Sequence, residues 1–315
     1  MRAVTIREQE IVVEEHPDPV PEAGEVLVRV RAAGLNGGDM MQRRGLYPAP
    51  PGSPQDIPGM ELAGEVLSLG AHPPGTCRFK QGDRVMAIVG GGGQAELAVV
   101  HERQLMSVPA VLDWPAAGGL PEVFVTAHDA LFTQAGLRVG ERLLVHGGAG
   151  GVGTAAIQLA RACGARAVAT VRREEARDQV AALGAEVIPP EGFAEHGPFD
   201  VILELIGAPN LEENLNALAT GGRICVIGVA AGVKAELNLL ALMGKRARIH
   251  GSTLRARPFE EKALAARALE HEVLPLFASG ALTVPVAETF ALDEAATAYE
   301  RFAAGGKLGK LVIEL

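Results

Sequence analysis

Cysteine is scarce. The 315 residues contain three, Cys77, Cys163 and Cys225, far apart and without a C-x-x-C pair. That spacing excludes a disulfide framework and argues against a structural zinc site. Aromatic side chains are thin as well, with one Trp and two Tyr, so Tyr47 stands out. No apolar run is long enough to span a bilayer. The opening residues Met1 to Glu8 read as a charged strand rather than a signal peptide, and the expected location is the cytoplasm. Positive charge is in deficit, 29 Lys and Arg against 38 Asp and Glu, for a net charge of −9. This excludes a nucleic-acid-binding surface of the usual basic kind. Neither internal repeats nor low-complexity tracts are present.

What the chain has is glycine, and its placement carries the first functional signal. Leu143 to Val145 reads as a buried strand. Gly148, Ala149, Gly150, Gly151, Val152 and Gly153 follow as a G-x-G-x-x-G turn, and an apolar helix pattern follows that. The first glycine is expected to make the tight turn. The second lets main chain approach a pyrophosphate, and the third lets the helix lie close to the sheet. Unpaired amides at a helix start attract an anion. A second strand, Ala167 to Val171, completes a βαβ unit.

An Asp or Glu about 20 residues beyond the glycines would hold the ribose 2′-hydroxyl of NAD. Arg172 and Arg173 occupy that region. Two guanidiniums suit a 2′-phosphate that a carboxylate would repel, so the expected cofactor is NADPH. Glu174 and Glu175 fit the acidic first turn of the next helix.

Length predicts two domains. Residues 1 to about 118 read as short strands between Gly and Pro clusters. From 119 strands and helices alternate, with six strand candidates through His250. The predicted fold class is α/β, with a doubly wound parallel Rossmann sheet. One long helix is expected from Pro258 to Ala278, then a short strand at Thr283–Val286, a helix from Asp293 and a last strand from Lys310. The Rossmann domain is placed at 119–264 and the β-rich domain at 1–118 with 265–315.

Several stretches carry a family resemblance: Gly34-Leu35-Asn36 with Asp39, Gly45-Leu46-Tyr47-Pro48, Gly59 to Gly64, Gly82 to Val85, Leu120-Pro121 with Thr126-Ala127, the glycine turn, and Gly309-Lys310. Nearly end to end the chain resembles the zinc-free, zeta-crystallin-like quinone oxidoreductases of the medium-chain dehydrogenase/reductase superfamily. Thr253-Leu254-Arg255-Ala256-Arg257 is similar to the branch of stress-inducible NADPH:quinone reductases. The resemblance implies a β-rich GroES-like catalytic domain, a homodimer, and a small-molecule quinone as substrate. It implies no membrane or nucleic-acid partner. The zinc alcohol dehydrogenases of the superfamily place a cysteine where Asn36 stands and a histidine where Met60 stands. An amide and a thioether do not replace those ligands, so no metal is expected.

By the same resemblance Asn36, Tyr47 and Thr126 lie beside the nicotinamide or the quinone, as the catalytic set. Gly150, Gly151 and Val152 meet the pyrophosphate, and Gly228, Val229, Thr253, Leu254 and Arg255 line the nicotinamide end. Duller roles stand beside these. Asn36 suits a turn, Asp39 and Thr126 suit helix caps, and His146 suits a packed strand end. Arg255 and Arg257 are either surface charges or anion contacts. The expected reaction is hydride transfer from NADPH to a quinone. Reduction of enones or alkenals, and NADPH binding with little turnover, remain as alternatives.

Overall fold

A long central strand organises the first of two units in the computed structural model, which describes residues 1–73 and 75–315. This unit comprises Met1–Val125 and Leu254–Leu315, and the other Thr126–Thr253. The N-terminal elements are β1 (Arg2–Arg7), β2 (Glu10–Glu15), β3 (Glu25–Gly34) and α1 (Gly37–Arg43). Next come β4 (Glu61–Leu69), β5 (Arg84–Ile88), β6 (Leu97–His101) and β7 (Met106–Ser107). The short helix α2 (Trp114–Gly118) precedes α3 (Pro121–His128), where the chain leaves the unit. β3 alternates apolar and polar residues, and its apolar positions Val26, Val28 and Val30 pack with Leu62, Val66 and Val85. That alternation gives β3 one buried face and one wetter face.

The second unit is the expected parallel sheet. Its strands are β8 (Arg142–Val145), β9 (Arg166–Thr170), β10 (Ala185–Ile188), β11 (Phe199–Glu204), β12 (Leu218–Val226) and β13 (Arg248–Gly251). Between them run α4 (Gly151–Ala162), α5 (Arg177–Ala182), α6 (Leu211–Ala217) and α7 (Leu239–Lys245). All neighbours are parallel, in the order β10-β9-β8-β11-β12-β13. The direction of winding reverses between β8 and β11, and a crevice opens at such a point outside the strand carboxyl ends. Leu144, Val168, Ile202 and Ile224 form the core on one face. Ala155, Ala156, Ile157, Leu159 and Ala160 of α4 are buried.

The chain then returns to the first unit. It carries α8 (Phe259–Glu272), α9 (Leu274–Ala278), β14 (Val286–Ala291), α10 (Ala295–Ala304) and β15 (Lys310–Glu314). β15 pairs antiparallel with β3 and parallel with β14, so the sheet reads β14-β15-β3-β4-β5-β7, with β6 also on β3.

Two expectations need correction. The single helix from Pro258 is broken at Val273, because Pro275 lacks the amide that would continue the ladder. The strand expected at Thr283–Val286 begins only at Val286, since Pro285 cannot donate to a sheet. The chain passes from one unit to the other at Val125/Thr126 and again at Thr253/Leu254. Phe124 of α3 packs edge-on against Phe277 of α9, ring centroids 4.9 Å apart, which anchors the first turns of α3 in the β-rich unit. Among the described residues no helix is long and apolar enough to cross a membrane.

Candidate active site

The glycine turn joins β8 to α4 at the point where the sheet reverses. The left-handed residue is Gly147, at φ 69°, one position before the glycine expected to make the turn. Gly148 is required for a different reason: a Cβ there would stand 2.7 Å from Ala169 Cβ. A Cβ on Gly153 would stand 2.5 Å from Gly147 O, so this glycine does bring the helix onto the strand. Gly150 is the exception, because a Cβ there meets nothing closer than 3.4 Å. The fold tolerates a side chain at Gly150, and its smallness leaves space on the outer side of the turn. The first intrahelical bond runs from Thr154 N to Gly150 O at 2.8 Å. The amides of Gly151, Val152 and Gly153 therefore precede the helical ladder, as helix starts dictate. Ala149, Gly150, Gly151 and Val152 are only half-buried. Amides ahead of the ladder at a half-buried helix start make a polar turn of the kind that attracts an anion.

A buried polar chain fixes the turn. Thr170 Oγ1 accepts from Gly147 N at 3.2 Å and lies 3.2 Å from His146 Nδ1. His146 Nε2 is 2.7 Å from Asn214 Oδ1, and Asn214 Nδ2 donates to Glu204 Oε2 at 2.7 Å. The other carboxylate oxygen of Glu204 accepts from Ile206 N and Gly207 N. Burial pushes the His146 imidazole below its ordinary pKa, toward the neutral form, against the opposing pull of Glu204. A neutral ring with Nε2 protonated satisfies every member of this chain. His146 is thus a packed strand-end residue that ties β8, β9 and β11 together.

Arg172 and Arg173 follow β9, are exposed, and have no carboxylate partner among the described residues. Gly228 and Val229 lie just beyond β12, half-buried. A Cβ on Gly228 would stand 2.3 Å from Leu205 O, so the ends of β11 and β12 meet closely there. Thr253 is exposed beyond β13. Thr126 is buried, and its Oγ1 has no hydrogen-bond partner, which is not the geometry of a helix cap.

The β-rich unit holds a second polar cluster. Lys310 Nζ, 2% exposed, donates to Leu35 O at 2.8 Å, Asn36 Oδ1 at 2.7 Å and Glu61 Oε1 at 2.6 Å. Asn36 Nδ2 donates to the same Glu61 oxygen at 2.9 Å. The other Glu61 oxygen accepts from Glu122 N at 2.8 Å. Asp39 accepts from Asn36 N and Gly59 N, at 2.8 and 3.1 Å, and so both caps α1 and pins the β4 approach. Its burial raises its pKa from 3.8 to about 6.

Arg255 is buried rather than a surface charge. Its guanidinium donates to Gly90 O, Tyr47 O and Gln42 Oε1 at 2.7, 2.9 and 2.5 Å, and lies 5.0 Å from the Tyr47 ring centroid. It clamps the Tyr47 loop instead of presenting itself to an anion. Leu254 is buried beside it in the chain.

Glu122 was not singled out in the sequence. The residue is partly exposed, but its Oε2 is enclosed and has no hydrogen-bond partner. Burial, then the negative charge of Glu61, raises its pKa to about 8. The same carboxyl contributes to raising the pKa of the half-buried Tyr47, after burial itself. With Glu122 protonated, the two cations Lys310 and Arg255 face the two carboxylates Glu61 and Asp39.

Residues 151–270 match the family described as Zinc-binding dehydrogenase, and residues 22–110 match the Alcohol dehydrogenase GroES-like domain. A quinone oxidoreductase from Lama guanicoe is 33% identical over 310 residues, covering 94% of this chain and 91% of the relative. The quinone oxidoreductase from Homo sapiens is 31% identical with the same coverage. A quinone oxidoreductase from Pseudomonas syringae pv. Tomato DC3000 superposes with a TM-score of 0.87 at 29% identity, covering 100% of this chain and 98% of that one. Mycobacterial Rv1454c, solved with NADPH, has a TM-score of 0.87 at 25% identity, with 100% of both chains covered.

The chain belongs to the quinone oxidoreductases of the medium-chain dehydrogenase/reductase superfamily. It is an oxidoreductase. The family description includes zinc, and the residues here do not fit that ion. Asn36 offers an amide already committed to Lys310 and Glu61, Met60 a thioether, and Glu61 a carboxylate neutralised by an ammonium. Zinc wants thiolate and imidazole at such positions. In this oxidoreductase the ammonium of Lys310 supplies the positive charge among Asn36 and Glu61.

Proposed function

We propose that this oxidoreductase reduces quinones with NADPH, with no metal ion taking part in hydride transfer. The observation that carries the reading is the Lys310–Glu61–Asn36 cluster, whose donors are satisfied by one another. NADPH, when bound, supplies hydride at nicotinamide C4. The chain contributes amides 151–153 for the pyrophosphate and Arg172 and Arg173 for the 2′-phosphate. Gly228, Val229 and Thr253 border the nicotinamide end. Asn36, Tyr47 and Thr126 are the groups proposed to hold the acceptor. A quinone that gains hydride needs one further proton to become the hydroquinone, and Glu122 holds one at neutral pH.

The same proton favours a second reading, reduction of an enone or alkenal, which requires protonation at the α-carbon. A steady-state screen of naphthoquinones and alkenals, each with NADPH and NADH, tests both. Quinone turnover with NADPH, unchanged after exhaustive chelation, is the expected result. Turnover that needs added zinc overturns the metal-free reading, and alkenal turnover far above quinone turnover replaces the acceptor.

The homodimer is proposed from α7. This helix exposes Leu239, Leu240 and Met243 and packs on β12, whose other sheet neighbour, β13, is an edge strand. Contiguous apolar surface of that kind marks an interface.

A further inference from the structure

The loop that joins β4 to β5 carries a group the proposed reaction does not use. Among the described residues, His72, Cys77 and Glu102 offer one ligand atom each, and all three atoms lie within 4.8 Å of one another. His72 Nδ1 is 2.9 Å from Gly70 O, which assigns the ring proton to Nδ1 and leaves the Nε2 lone pair free. Nε2 is enclosed, has no hydrogen-bond partner, and stands 3.8 Å from Glu102 Oε2. The His72 side chain is only 8% exposed. Cys77 packs against the β-sheet core, and its Sγ lies within 4.8 Å of the Glu102 ligand oxygen.

A buried imidazole nitrogen with nothing to bond is costly. Its other nitrogen is held by a backbone carbonyl, the orientation that metal-bound histidines show. In tetrahedral zinc sites, bonds of about 2.0–2.3 Å put ligand atoms roughly 3.3–3.8 Å apart. The His72–Glu102 spacing is already in that range.

We propose that His72, Cys77 and Glu102 bind one divalent cation of the zinc class, with water as fourth ligand. Binding forms a metal–sulfur bond and releases the Cys77 thiol proton to solvent. The cation staples the β4–β5 loop to the segment after β6, within the β-rich unit. The site is structural and independent of the Lys310 cluster. The sparse cysteines hid it, because its ligands come from two separated segments and include one thiol rather than a C-x-x-C pair.

Protein stripped with chelator is titrated with Co²⁺ alone, followed by its thiolate charge-transfer and ligand-field absorption, and then with Zn²⁺ as competitor. One equivalent is expected, with tetrahedral bands that Zn²⁺ displaces. Zn²⁺ is also expected to raise the Tm of the unaltered protein. Cys77→Ser should abolish the charge-transfer band, and His72→Ala should weaken uptake by at least about tenfold. Both variants should keep their circular dichroism and quinone turnover. The proposal is overturned if the stripped protein takes up less than one equivalent, or if uptake and the thiolate band persist unchanged in both variants, which would place the cation at Cys163 or Cys225. Absence of quinone turnover in the unaltered protein, with cation uptake intact, would count against the catalytic reading alone.

Discussion

Lys310 and Glu61 form a fully enclosed ion pair, Nζ to Oε1 2.6 Å, with side chains 2% and 0% exposed. They lie 249 positions apart in the chain. Breaking one half of such a pair leaves a charge buried without compensation. Lys310→Met should therefore cost about 3–5 kcal/mol, read from urea unfolding. Adding Glu61→Leu should recover much of the loss. If the double variant is no better than the single, the pair is not the source of the cost.

The glycine turn separates folding from binding. Gly148→Ala and Gly153→Ala put a methyl 2.7 and 2.5 Å from fixed atoms, so both should lower Tm. Gly150→Ala fits, with φ −74° and no contact under 3.4 Å. Its Tm should hold while NADPH affinity falls at least about tenfold, by calorimetric titration. Unchanged affinity in Gly150→Ala would remove the pyrophosphate from this turn.

The proposed choice of NADPH rests on two exposed guanidiniums. Each charge-assisted contact is worth about 1.5–3 kcal/mol. Replacing Arg172 and Arg173 together by Ala should weaken NADPH by about a hundredfold or more and leave NADH within a few-fold. Equal affinities for the two nucleotides in the unaltered protein would refute the assignment.

Glu122 gives a pH signature. Its folded-state pKa is raised from 4.5 to about 8. The folded chain therefore binds this proton more tightly than the unfolded chain. Its contribution to stability is full below about pH 4.5 and is lost as pH rises through about 8. Lys307 acts oppositely, because burial lowers its pKa to about 7. The difference between the unaltered protein and Glu122→Gln isolates the carboxyl. Between pH 5 and 9 that difference in Tm should move steadily in favour of the Gln variant. A flat difference would show that Glu122 is ionised at neutral pH.

The apolar face of α7 predicts the oligomer. Leu240→Glu should shift a dimer toward monomer in sedimentation velocity and leave the Rossmann core intact. A protein that is already monomeric removes the homodimer.

Periodic features were legible in the sequence and paired polar ones were not. The six parallel strands, the glycine turn and the exposed arginines all declare themselves through local pattern, because strand and helix periods act over a few residues. Breaks at Pro275 and Pro285 were missed because apolar residues on either side mask a single absent amide. Arg255 was read as a surface charge or anion contact, since nothing local shows that Gly90, Tyr47 and Gln42 will surround it. Lys310 had a faint signal, a lone cation at the start of a buried strand in a chain with six lysines. Glu122 had almost none. Its altered acidity arises first from burial and then from Glu61, 61 positions away in the chain, and only the fold brings both about.

The clamp of Arg255 on the Tyr47 loop also sets an order of assembly. During synthesis, residues 1–125 emerge without their final strand, and β3 waits for β15 until residue 314 has left the ribosome. The parallel-sheet unit, continuous from 126 to 253, is complete first and can fold as a unit. Neither the arginine that fixes Tyr47 nor the lysine that neutralises Glu61 belongs to that unit. A chain ending before residue 255 would lack both the Arg255 clamp and β15, leaving the β-rich unit without its last strands.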